Sequence, residues 1–90
     1  MKFFVIAKRK DNIKPEQFAE YADLEAKMAI GLFKDEFVRE IYSIKGAKGA
    51  CMVIEANNED EIKEKLSALP FVKNNFLDID ILEVKPYRGF

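Results

Sequence analysis
The sequence predicts an α+β fold of order β-α-β-β-α-β, an antiparallel four-stranded sheet carrying both helices on one face. Three observations predict it. Strand-like apolar runs open and close the chain. Two segments with helical spacing lie inside those runs. Between the helices, two β-prone segments are joined by a short turn framed by Gly46 and Gly49, which reads as a hairpin.

Each element has its own reason. Lys2 to Lys8 places Phe3, Val5 and Ala7 on one face and Phe4 and Ile6 on the other, so the first strand is apolar on both sides. Pro15 suits a first helical turn, and Glu16 suits the positive end of the helix dipole. Phe18, Ala22, Ala26, Ala29 and Phe33 then recur at three- or four-residue steps, with Ile30 beside them, opposite Glu20, Asp23, Lys27 and Lys34. Gly31 is expected to loosen the last turns. A second strand is expected near Phe37 to Ile44, and a third over Ala50 to Ala56. Asn58 is the expected N-cap of the second helix, whose buried stripe is Ile62, Leu66 and Leu69 and which Pro70 stops. Phe76 to Val84 forms the fourth strand, and Pro86 to Phe90 a tail. This is the ferredoxin-like plan in one domain, residues 1–90, with no repeat or low-complexity tract.

The fourth strand is unusual. Leu77, Ile79 and Ile81 share the face that takes the helices, while Phe76, Asp78, Asp80, Leu82 and Val84 share the other. Strand one adds Phe4 and Ile6 to that second face, and strand two adds Val38, Glu40, Tyr42 and Ile44. Such an apolar open face, with carboxylates set in it, predicts a two-fold partner whose sheet closes over it.

Composition narrows the classes. The chain has 90 residues, 49% hydrophobic and 34% charged, with net charge −1. Mixed charges give no basic field for nucleic acid or an anionic membrane. An RNA-binding sheet of this order would also need an aromatic-rich central motif, which these strands lack. Lys8-Arg9-Lys10 reads as a solvated strand end. The single cysteine, Cys51, reads as a small buried hydrophobe. With no signal-peptide pattern and no bilayer-length apolar stretch, the expectation is a soluble, cytoplasmic protein. No cofactor or metal is expected: histidine is absent, no glycine-rich phosphate loop precedes a helix, and Asp78 and Asp80 offer too few oxygens for Mg²⁺ or Ca²⁺.

The segment Val38-Arg39-Glu40-Ile41-Tyr42-Ser43-Ile44-Lys45-Gly46, the helix ending Leu66-Ser67-Ala68-Leu69-Pro70-Phe71 and the strand Leu77-Asp78-Ile79-Asp80-Ile81 resemble the muconolactone Δ-isomerase family. The resemblance covers nearly the whole chain in element order and spacing. It implies a small dimeric α/β barrel built by the two sheets of a homodimer, with further assembly into larger rings. It carries over no catalytic histidine. Glu40, Ser43 and Ala47 stand where that family's polar or basic groups are expected, and Phe4 and Ile6 make strand one's contribution apolar.

The candidate chemistry follows. A carboxylate among apolar neighbours is harder to ionise, which suits a proton shuttle, so Glu40 and Asp78 are the candidate catalytic groups. Tyr42 would donate a hydrogen bond to a carbonyl or enolate oxygen, and Arg39 would hold a substrate carboxylate. Asp80, Phe4 and Ile6 would complete the lining. The function expected is a small-molecule binder or cofactor-free isomerase, its ligand enclosed between two sheets. The alternative is a non-catalytic module whose sheet face serves only assembly, with Asp78 and Asp80 as structural acids.

Overall fold
In the computed structural model, which describes residues 1–90, β1 (Lys2–Arg9) sits inside a four-stranded sheet of order β2-β3-β1-β4. Its neighbours are β3 (Gly49–Glu55) and β4 (Leu77–Val84), both antiparallel to it, and β2 (Val38–Ile44) forms the edge beside β3. α1 (Pro15–Lys34), α2 (Glu59–Leu66) and the short α3 (Pro70–Lys73) make up the helical side. The ferredoxin-like fold expected from the element order is the fold observed.

The core lies between sheet and helices. Phe3, Val5, Val38, Met52, Ile54, Ile62, Leu66 and Leu69 are buried there, with Met28, Leu32, Ile79 and Ile81 packed against them. Burying side chains of this size stabilises the fold by roughly 1.5–3 kcal/mol each. A smaller aromatic cluster closes one end: the Phe18 ring stands edge-on to Phe71 at 5.2 Å and to Phe76 at 5.3 Å.

Four local features differ from the sequence expectation. Phe76 precedes β4 and is buried in the aromatic cluster, so it does not belong to the open face. Val38 is also buried, facing the helices, because the register shifts between Val38 and Glu40. That bulge spends Arg39 as an extra residue, so Val38 and Glu40 take opposite faces although they are two apart. α1 runs unbroken past Gly31 to Lys34, and Asp35 closes it by donating its N–H to the Gly31 carbonyl. α2 ends at Leu66 before Pro70 is reached, so the proline does not stop it but opens α3, where its missing N–H costs nothing, and Leu69 is buried between the two helices and not within α2. The Asn58 cap is as expected: its side-chain oxygen accepts the Glu61 N–H at 2.9 Å.

Candidate functional site
α1 covers the sheet loosely, and the gap it leaves is the site. Of its 20 residues only Phe18 is fully buried. Over the cleft α1 carries Ala22, Ala26 and Ala29, whose short side chains leave the space open, while Phe18, Met28 and Leu32 pack on the core and Ile30 and Phe33, expected in the buried stripe, are exposed. A cleft of about 250 Å³ remains. Its floor is Ala7, Ser43, Ala50, Met52 and Ile79 on the sheet, and its far wall is Leu66, Leu69 and Phe71. This lies near the lower end of the ~300–1,000 Å³ common for ligand pockets, and its mostly apolar lining with a few polar groups is typical.

Three polar side chains line it: Arg9, Glu25 and Ser43. Glu25 lies within the alanine face of α1, one turn after Ala22 and one turn before Ala29. Its Oε1 accepts the Phe71 N–H at 2.8 Å, an otherwise unpaired donor at the start of α3. Burial pushes the Glu25 carboxyl above its ordinary value, while the Phe71 hydrogen bond pulls against that rise. Arg9 ends β1 on the same face as Phe3, Val5 and Ala7. Its guanidinium carbon lies 4.3 Å from the centre of the Phe18 ring and 5.7 Å from that of Phe71. The chain's ion pairs are Met1 with Glu55 and Lys63 with Glu59, so Arg9 keeps its charge without a carboxylate partner. The arrangement offers a hard-to-ionise acid, a fixed cation and an apolar floor.

The residues singled out from sequence lie on the other side of the sheet. Phe4 sits across from Val53 and Leu82, Ile6 from Cys51 and Asp80, and Asp78 from Lys8. Glu40 and Tyr42 join them from β2, opposite Val53 and Cys51. The parity argument therefore brings Phe4, Ile6, Glu40, Tyr42, Asp78 and Asp80 to one face, and in a single chain that face is open. Tyr42 donates its hydroxyl to Glu40 Oε1 at 2.6 Å. That bond and the adjacent negative charge hold the phenol above its usual range. Arg39, at the bulge, turns its Nε–H to the Glu36 carbonyl and away from this group. Cys51 is half-buried on the open face, between Ile6 and Tyr42, not in the core.

Sequence reasoning passed over Glu25 and Arg9. A signal for Glu25 existed. Phe18, Tyr21, Met28 and Leu32 recur at three- or four-residue steps as the inward stripe of α1, and Glu25 is the one acid that falls within it. Arg9 falls on the inward parity of β1, which the neighbouring Lys8 and Lys10 obscure.

Comparison with known proteins defines the class of fold. No protein-family model matches the chain, and no curated protein matches it in sequence. Solved structures do match. Muconolactone isomerase superposes with a TM-score of 0.78 at 18% identity, covering 100% of this chain and 94% of that one. The 5-chloro-2-hydroxyhydroquinone dehydrochlorinase of Burkholderia phenoliruptrix, in complex with 2,5-dihydroxybenzoquinone, gives 0.71 at 19% identity, covering 94% of each chain. A candidate antibiotic biosynthesis monooxygenase from Deinococcus radiodurans gives 0.56 at 14% identity, covering 100% of this chain and 98% of that one. The chain is thus a ferredoxin-like domain built as muconolactone isomerase is built, and at these identities the likeness is one of fold.

Proposed function
We propose that this protein binds a small, largely apolar carbonyl compound in the cleft between α1 and the sheet, and moves a proton on it without a cofactor. The observation that carries the reading is Glu25: a half-buried carboxylate whose proton affinity is raised, set in the apolar wall of a cleft that Arg9 also lines. The Glu25 carboxylate takes a proton from a carbon next to a carbonyl, the electron pair moves onto the oxygen as an enolate, and Arg9 or Ser43 stabilises that oxygen. The Glu25 carboxyl, whose proton exchanges with solvent while the enolate is held, then protonates a different carbon of the conjugated system, which gives an isomer and regenerates the carboxylate. Nothing is oxidised or reduced. The likeness to muconolactone isomerase, and to a dehydrochlorinase holding a hydroxylated quinone, supports ring compounds of this size as the ligand class.

A second reading rests on the open face. Self-association through that face would cover Phe4, Ile6, Tyr42 and Leu82, and would desolvate Glu40, Asp78 and Asp80 between two sheets. The Tyr42–Glu40 hydrogen bond favours it, since it pairs a donor with a potential proton shuttle. Arg39 then lies at the rim. One experiment separates the readings. A panel of small lactones and hydroxyquinones is screened by thermal shift, and hits are followed by NMR for proton exchange with solvent deuterium. Under the cleft reading Glu25→Gln keeps binding but loses ~10²–10⁴-fold in exchange rate, and Glu40→Gln and Asp78→Asn do not. The opposite pattern moves the chemistry to the open face. Binding without exchange in the unsubstituted protein leaves a binding module.

A further inference from the structure
The tail is an apolar feature that neither reading uses, and the groove beside β2 shares only Tyr42 and Glu40 with the open face. That groove, of about 440 Å³, runs between the last turns of α1 and the first half of β2. Ile30 and Phe33 form one wall, and Ile41 and Tyr42 the other. All four are large apolar side chains in solvent; Phe33 is 52% exposed. At the far end of the chain, Tyr87 is 80% and Phe90 94% exposed. Their rings meet each other at 6.0 Å, and the Phe90 N–H closes a turn on the Tyr87 carbonyl. The tail therefore carries a preformed aromatic pair.

We propose that this pair docks in the β2 groove of a second copy of the chain. Three observations favour that occupant. The tail leaves β4, while the groove lies on β2, at the opposite edge of the sheet. Three strand spacings of ~4.8 Å separate them, and Pro86 keeps Lys85 extended, carrying the tail away from its own sheet. Charge also matches: the tail brings Lys85 and Arg88, and the groove brings Glu40. Arg39, the one cation in the groove, is turned onto the Glu36 carbonyl, and with Glu40 Oε1 taking the Tyr42 hydroxyl, Glu40 Oε2 is left to meet Arg88. Finally, the groove borders Tyr42 and Glu40 of the open face, so a tail seated there continues the surface that self-association would cover.

The inference rests on the self-association proposed above, and its test tells the two apart. Light scattering and sedimentation would compare the full chain with Tyr87→Ala/Phe90→Ala, with Phe33→Ser, and with the combined variant, each checked for folding by circular dichroism. The aromatic pair and the groove are expected each to weaken association at least 10-fold, with no further loss when combined, because both changes remove one contact. NMR of a mixed-label sample should then show contacts from the Tyr87 and Phe90 rings to Ile30 and Phe33 of the other copy. A chain that is monomeric at every concentration overturns both proposals. Association that is unaffected by these variants, or ring contacts only within one chain, overturns this one and leaves self-association standing.

Discussion
An acid held half out of water by alanines binds its proton more tightly in the folded protein than in the unfolded chain, and Glu25 is placed in that way. The linkage has a definite sign. Folded Glu25 holds its proton to higher pH than unfolded Glu25, so stability falls as pH rises from the unfolded value through the folded one. At neutral pH the ionised carboxylate is a net cost. Glu25→Gln removes that cost and keeps an oxygen for the Phe71 N–H, so its Tm should exceed that of the parent at pH 7 and match it near pH 3. A thermal melt series across pH checks this, and a parent that melts higher at pH 7 would show the carboxylate to be stabilising. Gain of stability with loss of exchange activity is the signature of a group retained for chemistry. Parity alone brings Asp78, Asp80, Glu40 and Tyr42 to one face, because a strand has only two faces. Glu25 was harder to read, since a helix stripe is judged by its apolar members and a lone acid within it counts as an exception. The cation without a partner at Arg9 is legible only once Phe18 and Phe71 are in place.

At the level of elements, two backbone irregularities decide which side chains meet. Gly49 opens β3 at φ 136°, with the Ala7 carbonyl where a Cβ would stand. Both the conformation and the contact exclude a side chain, so Gly49→Ala should cost about 2–4 kcal/mol, measured by urea denaturation. The bulge at Arg39 lets β2 bury Val38 and still show Glu40 and Tyr42 to the open side. Deleting Arg39 removes the extra residue, and simple alternation then keeps Val38 on the helix face and Glu40 and Tyr42 on the open face. Circular dichroism should show the deletion folded, with a melt close to that of Arg39→Ala, whose side chain is exposed, and loss of the sheet signal would overturn the assignment of Arg39 as the extra residue. The order of elements was readable from periodicity and turn chemistry. The bulge was not, because one extra residue leaves no composition signal, and Val38 was consequently assigned to the wrong face. Phe76 was misplaced for a related reason: strand alternation was extended one residue beyond Leu77, where the chain already turns into the aromatic cluster.

For the whole molecule, the sheet divides an occupied side from an open one. Under the proposed self-association, substituting the open face should cost little folding free energy and much association. Phe4 is 45% exposed, so Phe4→Glu should leave the melt within a few degrees of the parent and shift light scattering toward the 10.4 kDa monomer. By contrast Ile54 is 0% exposed, and Ile54→Ala should cost about 2–5 kcal/mol. The loose seating of α1 has a kinetic consequence. A 20-residue helix with one fully buried residue, Phe18, and only half-buried Met28 and Leu32 toward its other end can open locally without unfolding the sheet. Backbone amides from Ala22 onward should therefore exchange with solvent deuterium faster than those of β1 and β3, by a route that does not pass through global unfolding. The helix is then a door as well as a wall. A ligand seated on Ala7 and Ala50 would hold the door shut, and slowed exchange along α1 would report occupancy before any turnover is known.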